Sequence, residues 1–180
     1  MKKSLILMMT CLALIVAGCT SKEKEQQSSE SANLVASEKT LPSGFESIAG
    51  VEEPKNYVAV LVTNQEDYEA MWQQFQLDGE LPKVDLKEND LLFIGMFESS
   101  SCPYEIDTMD AEPGTKELTI NFSPLADACT ADLSPRSFVI AVQKEVSSQL
   151  DTLLFVSQGV QTKVPIQPQE EILKKPYFIH

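Results

Sequence analysis

The chain has 180 residues, enough for one domain with appendages, and 43% of them are hydrophobic, so a real core is within reach. Against 14 basic residues stand 27 acidic ones, for a formal charge of -13, and this balance excludes a phosphate-backbone partner, so no nucleic acid is expected. The acids are scattered rather than blocked, as on a solubilising surface.

The N-terminus reads as a targeting segment. Lys2 and Lys3 form a positive start, and Leu5 to Ala17 is an apolar run. As a helix that run spans roughly 20 Å, short of the ~30 Å hydrocarbon core, so it suits a signal peptide better than a membrane span. It ends in Val16-Ala17-Gly18-Cys19, which resembles a bacterial lipobox. The resemblance implies cleavage after residue 18, a diacylglycerol on Cys19, and a protein lipid-anchored to the cell membrane on its extracytoplasmic side. Cys11 leaves with the leader. The remaining chain is still more acidic, so membrane residence rests on the lipid, at about 0.8 kcal/mol per buried CH₂. Residues 19–44 continue as the anchor and a flexible tether. Thr20 to Ser43 holds no aromatic residue and is rich in Ser, Glu, Gln and Lys, too polar to offset its ordering entropy. Its reach is roughly 25–30 Å.

Order is expected from residue 45 to 165. Asn56 to Thr63 is β-branched and apolar and predicts a buried strand. Asn64 follows as a helix N-cap. Tyr68, Met71, Trp72 and Phe75 then recur at helical spacing, with the stop expected near Asp78-Gly79. Trp72 sits on that apolar stripe as core; the alternative is a ligand platform. Asp90 to Ser99 is the central strand. It carries Leu92, Ile94 and Met96 on one face and Leu91, Phe93 and Phe97 on the other, so both faces are buried. Gly95 within it predicts a bulge or a close backbone approach. Tyr104 to Met109 and Glu117 to Phe122 alternate about a Pro113-Gly114 turn, as a hairpin with one wet face. Ser123 to Pro135 is looser. Arg136 to Lys144 is another strand, and a further one lies around Leu153 to Ser157. Residues 166–180 are expected to be an extended, peripheral tail with at most one helical turn at Gln169 to Lys174.

Two cysteines remain in the folded part. An exported location permits a Cys102–Cys129 disulfide; the alternative is two buried free thiols. The single histidine, His180, is the last residue, which leaves no imidazole for Ser-His-Asp or Cys-His chemistry inside a pocket. A Cys/His zinc site lacks ligands, and no phosphate-binding glycine motif occurs. Asp107, Asp110, Glu112, Asp127 and Asp132 do not follow calcium-loop spacing. No catalytic residue, metal or cofactor is therefore assigned, and the protein is not expected to be an enzyme.

The helix NQEDYEAMWQQFQ, the Pro82-Lys83-Val84-Asp85-Leu86 connector, the strand DLLFIGMFES and the two alternating segments after it together resemble the PrcB C-terminal type of domain. That family is a β-rich module of exported bacterial proteins. The resemblance covers residues 56 to 145 and implies a non-catalytic module that binds an envelope protein, a protease complex included. Where the family has a Gly-rich turn, this chain has Ser99-Ser100-Ser101-Cys102-Pro103-Tyr104, and only Tyr104 matches. The candidate partner-binding turn is therefore Ser99, Ser100, Ser101, Pro103 and Tyr104. The other reading is a structural or stress-related envelope lipoprotein with no discrete ligand. The expected architecture is α+β, mainly β: a single domain with an antiparallel sheet or sandwich, capped by one amphipathic helix.

Overall fold

The computed structural model describes residues 31–49, 56–111 and 114–173. The expected signal peptide, the lipobox-like stretch with Cys19, the expected tether up to Glu30, Glu112-Pro113 of the expected hairpin turn and the expected tail from Lys174 lie outside the described residues. In chain order the elements are β1 (Ala32–Glu38), α1 (Phe45–Ala49), β2 (Tyr57–Val62), α2 (Gln65–Gln74), β3 (Asn89–Glu98), β4 (Ile106–Ala111), β5 (Glu117–Phe122), β6 (Ser134–Gln143), α3 (Lys144–Ser147), β7 (Thr152–Ser157), β8 (Val160–Pro165) and α4 (Gln169–Leu173). They make two four-stranded sheets, ordered β1-β6-β3-β2 and β4-β5-β7-β8. The class is α+β and mainly β, as expected.

Strand β3 lies inside the first sheet and separates two cores. Leu92, Ile94 and Met96 join Phe138, Ile140 and Val142 of β6 against Leu118, Ile120, Phe122, Leu153 and Phe155 of the second sheet. This is the filling of a β-sandwich. Leu91 and Phe93, with Val58, Val60, Val62, Val139 and Ala141, face the other way and are covered by the helices. A strand with apolar residues at every position needs a layer on each side, and these two cores are those layers. Gly95 serves close approach: a Cβ there would stand 3.0 Å from Pro42 Cδ and 3.3 Å from Leu41 Cδ2. At the far end, Asp90 is buried and receives Lys144 Nζ at 2.6 Å and Ser147 Oγ at 2.6 Å, which fastens α3 to the sheet.

Helix α2 starts as read. Asn64 Oδ1 accepts the Asp67 amide at 3.0 Å, and Tyr68, Met71, Trp72 and Phe75 are buried. It stops before Asp78-Gly79. Gln76 takes a φ of 54°, with Gln76 N donating to Gln73 O and Leu77 N to Trp72 O. This is a Schellman closure with glutamine where glycine is usual, so no glycine marks the position where the helix ends, a few residues before the expected stop. Leu77 folds back into the helix-side core.

Two boundaries and one strand pairing differ from expectation. The segment expected as a tether through residue 44 contains β1, paired antiparallel with β6 from Ala32↔Val142 to Glu38↔Ser137. Composition weighs side chains, whereas β1 is held by the backbone ladder along an otherwise open strand edge, with Ala32 fully buried and Pro42 and Phe45 covering the outer face nearby. The domain thus begins by Ser31 rather than at residue 45. The second sheet is not antiparallel throughout, because β5 and β7 pair in parallel. The chain leaves that sheet after Phe122, crosses to β6 in the first and returns as β7; a parallel pair requires such a crossover. Finally, the C-terminal segment is not peripheral as far as Leu173. Gln167 N donates to Ala59 O at 2.8 Å, alongside β2, and Ile172 of α4 is fully buried among the helices.

Candidate functional site

One end of the sandwich gathers the end of β3, the start of β4, the loop 123–133 and the β7–β8 hairpin. The disulfide Cys102–Cys129 is formed there, with Cα atoms 5.6 Å apart, and ties the turn after β3 to that loop. Cys102 N donates to Ser99 O at 3.1 Å, closing the turn on itself. The serine hydroxyls are engaged nearby. Ser99 Oγ lies 3.0 Å and Ser101 Oγ 3.1 Å from Thr130 Oγ1, and Thr130 N donates to Ser101 Oγ at 2.9 Å. Ser100 N donates to the Asp132 carboxylate at 3.3 Å, and Thr130 Oγ1 also donates to it. These donors hold the Asp132 carboxyl below the usual carboxylate range. The serines are therefore structural fasteners of two loops.

Beneath the turn lies a group that sequence reading passed over. Glu98, the last residue of β3, has a side chain with 0% exposure. Arg136, at 11% exposure, binds it twice, Nη2 to Oε1 at 2.8 Å and Nε to Oε2 at 2.9 Å. The Tyr104 amide donates to the same carboxylate at 2.8 Å. A buried charge is tolerable only when paired and hydrogen-bonded, so this trio fixes where Tyr104 begins. Arg136 also donates to Ser37 Oγ of β1 at 3.1 Å.

Tyr104 then leads into an arc of four rings. It stacks on Phe122 at 4.6 Å between centroids; Phe122 meets Phe155 at 5.7 Å, and Phe155 meets Tyr57 at 5.6 Å. Together with Met96 they line a cleft of about 240 Å³, whose lips carry Leu125 and Val160 and whose remaining wall is Ser157, Gln158 and Thr162. Val160 is 65% exposed. Burial raises the Tyr104 phenol above its usual value, and the charge of Glu98 adds to this. Tyr57 is raised by burial and by Tyr104, against a hydrogen bond from Thr162. Both phenols are thus neutral donors near pH 7. The site offers apolar concavity with a few hydroxyl and amide groups.

Of the expected turn residues, only Tyr104 lines this cleft. Ser99, Ser100 and Ser101 are joined to Thr130 and Asp132 beside it, and Pro103 is exposed on the turn. Of the acids singled out from sequence, Asp110 accepts from Thr108 and Asn121 on the hairpin and Asp132 accepts from Ser100 and Thr130 at the loops, Glu112 lies outside the described residues, and no set of three His, Cys, Asp or Glu able to hold a metal occurs among the described residues. Tyr57, Phe122, Phe155, Gln158 and Val160 were not legible as site residues, because each reads locally as an ordinary strand or turn position. Comparison of the chain with family models, curated proteins and solved structures returns no match.

Proposed function

We propose that this protein is a cell-envelope lipoprotein, anchored in the membrane through a lipidated Cys19, whose domain is a non-catalytic binding module for a protein partner of the envelope. The PrcB-type resemblance makes a protease complex one such partner. The observation that carries the reading is the ring-lined cleft beside a turn immobilised by a disulfide, a buried ion pair and a hydroxyl cluster. A recognition surface held rigid before contact loses little conformational entropy on binding. Burial of Tyr57, Tyr104 and Val160 under a partner is the kind of aromatic and aliphatic anchoring that dominates interface energetics.

The test is photocrosslinking on intact cells, with a photoreactive residue at Val160 and, as control, at Glu66 on the exposed side of α2. Discrete adducts from position 160 and none from position 66 are expected. Equal labelling from both, or none from position 160, overturns the reading. In the same cells Cys19→Ser should shift the protein from the membrane fraction to the soluble one; retention in the membrane removes the lipid anchor from the proposal.

A further inference from the structure

The chemistry of the cleft restricts what enters it. Among the described residues no charged one lines it, and its floor is Tyr57, Tyr104, Phe122 and Phe155. A ligand group that enters must be uncharged, because a charge moved there would lose its hydration without a counter-charge. The surroundings have a sign. Segments 99–105, 123–133 and 157–162 carry Glu105, Asp127 and Asp132 and no lysine or arginine. All three acids are exposed.

The tip of the β7–β8 hairpin adds a second constraint. Gln158 and Gly159 have φ values of 50° and 79° between the paired Ser157 and Val160, as a two-residue hairpin of the primed type requires. At the first of these positions Asn, Asp or Gly is favoured, and glutamine is held in a left-handed conformation at a cost. Gln158 is one of the residues that line the cleft. A primary amide offers both a donor and an acceptor, which matches one peptide group.

From these features the geometry points to one occupant: an extended segment of a partner polypeptide that places an aromatic side chain in the cleft, has lysine or arginine beside it, and has a backbone peptide group read by Gln158. The volume of about 240 Å³ admits one such ring. The apolar lips Leu125 and Val160 favour a polypeptide side chain over a sugar, whose rim hydroxyls they would leave unpaired. This inference rests on the binding-module reading and deepens it.

The experiment titrates three blocked peptides, Ac-Lys-Trp-Lys-NH₂, Ac-Lys-Ala-Lys-NH₂ and Ac-Glu-Trp-Glu-NH₂, into the full chain in detergent micelles and follows backbone amide shifts by NMR. The Lys-Trp-Lys peptide should shift the amides of Tyr104, Phe122 and Val160. It should bind about tenfold more tightly than the Glu-Trp-Glu peptide at low salt, a gap that narrows as salt is added. The Lys-Ala-Lys peptide should not shift them. Gln158→Asn keeps the turn and suits its backbone better, so it should hold or raise Tm while weakening the Lys-Trp-Lys peptide. A purely structural Gln158 would leave binding unchanged. Equal binding of the tryptophan and alanine peptides, shifts confined to other surfaces, or saturable binding of N,N′-diacetylchitobiose in this cleft with none of the peptides overturns the inference. If position 160 crosslinks an envelope protein while no peptide binds, the ligand chemistry is wrong and the binding-module reading stands.

Discussion

Removing the Cys102–Cys129 bridge tests how the loop end of the sandwich is held. The perturbation is the double substitution Cys102→Ala and Cys129→Ala, which leaves neither bridge partner as a free thiol. The bridge closes a loop with a sequence separation of 27. On the chain-entropy account, a loop of that length restricts the unfolded chain by about 3.5 kcal/mol at 25 °C. The native state should change little. The Ser99–Ser101–Thr130 hydroxyls and the Ser100–Asp132 contact hold the same two loops without the sulfurs, and the Glu98–Tyr104 amide bond holds the first of them. Most of the loss should therefore arise in the unfolded ensemble, which becomes more expanded. Urea unfolding followed by the fluorescence of Trp72, buried in the helix-side core away from the bridge, reads both quantities. The expected result is a loss of about 3.5 kcal/mol, a steeper dependence on urea as more surface is exposed, and a fall in Tm of roughly 10–15 °C. A loss below about 1 kcal/mol with an unchanged slope would refute the reasoning, and would mean that the bridge does not restrict the unfolded chain as a loop of that length should.

Two further predictions follow from buried groups. Glu98→Ala leaves the nearly buried Arg136 without its counter-charge and should destabilise the protein by about 3–5 kcal/mol, measured by urea unfolding. Adding Arg136→Met to it should recover a substantial part, and a double variant as unstable as the single one would show that the charge is not the cause. Tyr68 donates its phenolic hydroxyl to Pro82 O at 3.0 Å, and burial pushes its pKa up to about 12. The unfolded chain ionises near pH 10, so its stabilising contribution is complete below about pH 10 and is lost as pH rises through about 12. Tyr68→Phe should make the alkaline fall in urea midpoint shallower in that window, without abolishing it, because Tyr57 and Tyr104 are raised as well. An identical alkaline slope in the variant would argue against a buried phenol at this position.

How far the fold was legible depended on the range of the interaction responsible. Leu91 to Phe97 announced a strand covered on both faces, since alternation puts every second residue on one side and all were apolar. The Asn64 cap and the Tyr68-Met71-Trp72-Phe75 stripe announced α2 and its buried face for the same reason: the causes lie within a few residues of the effect. Fold class, both helix-side and sandwich-side faces of β3, and the Cys102–Cys129 pairing were accordingly within the sequence. The tertiary structure alone decided what depends on partners distant in the chain. Ala32–Glu38 is a strand because β6 offers it an edge from far along the chain, although its own side chains argue for solvent. Strand β7 lies parallel to β5 because the chain visits the other sheet between them. Glu98 has an ion-pair partner in a dry place because Arg136 arrives from β6. The cleft is the clearest instance. Its rings come from β2, the turn after β3, β5 and β7, each unremarkable in its own segment, and their convergence exists only once the two sheets are packed. Local periodicity determined which residues leave water; the pairing of strand edges and buried charges across the chain determined which of them meet.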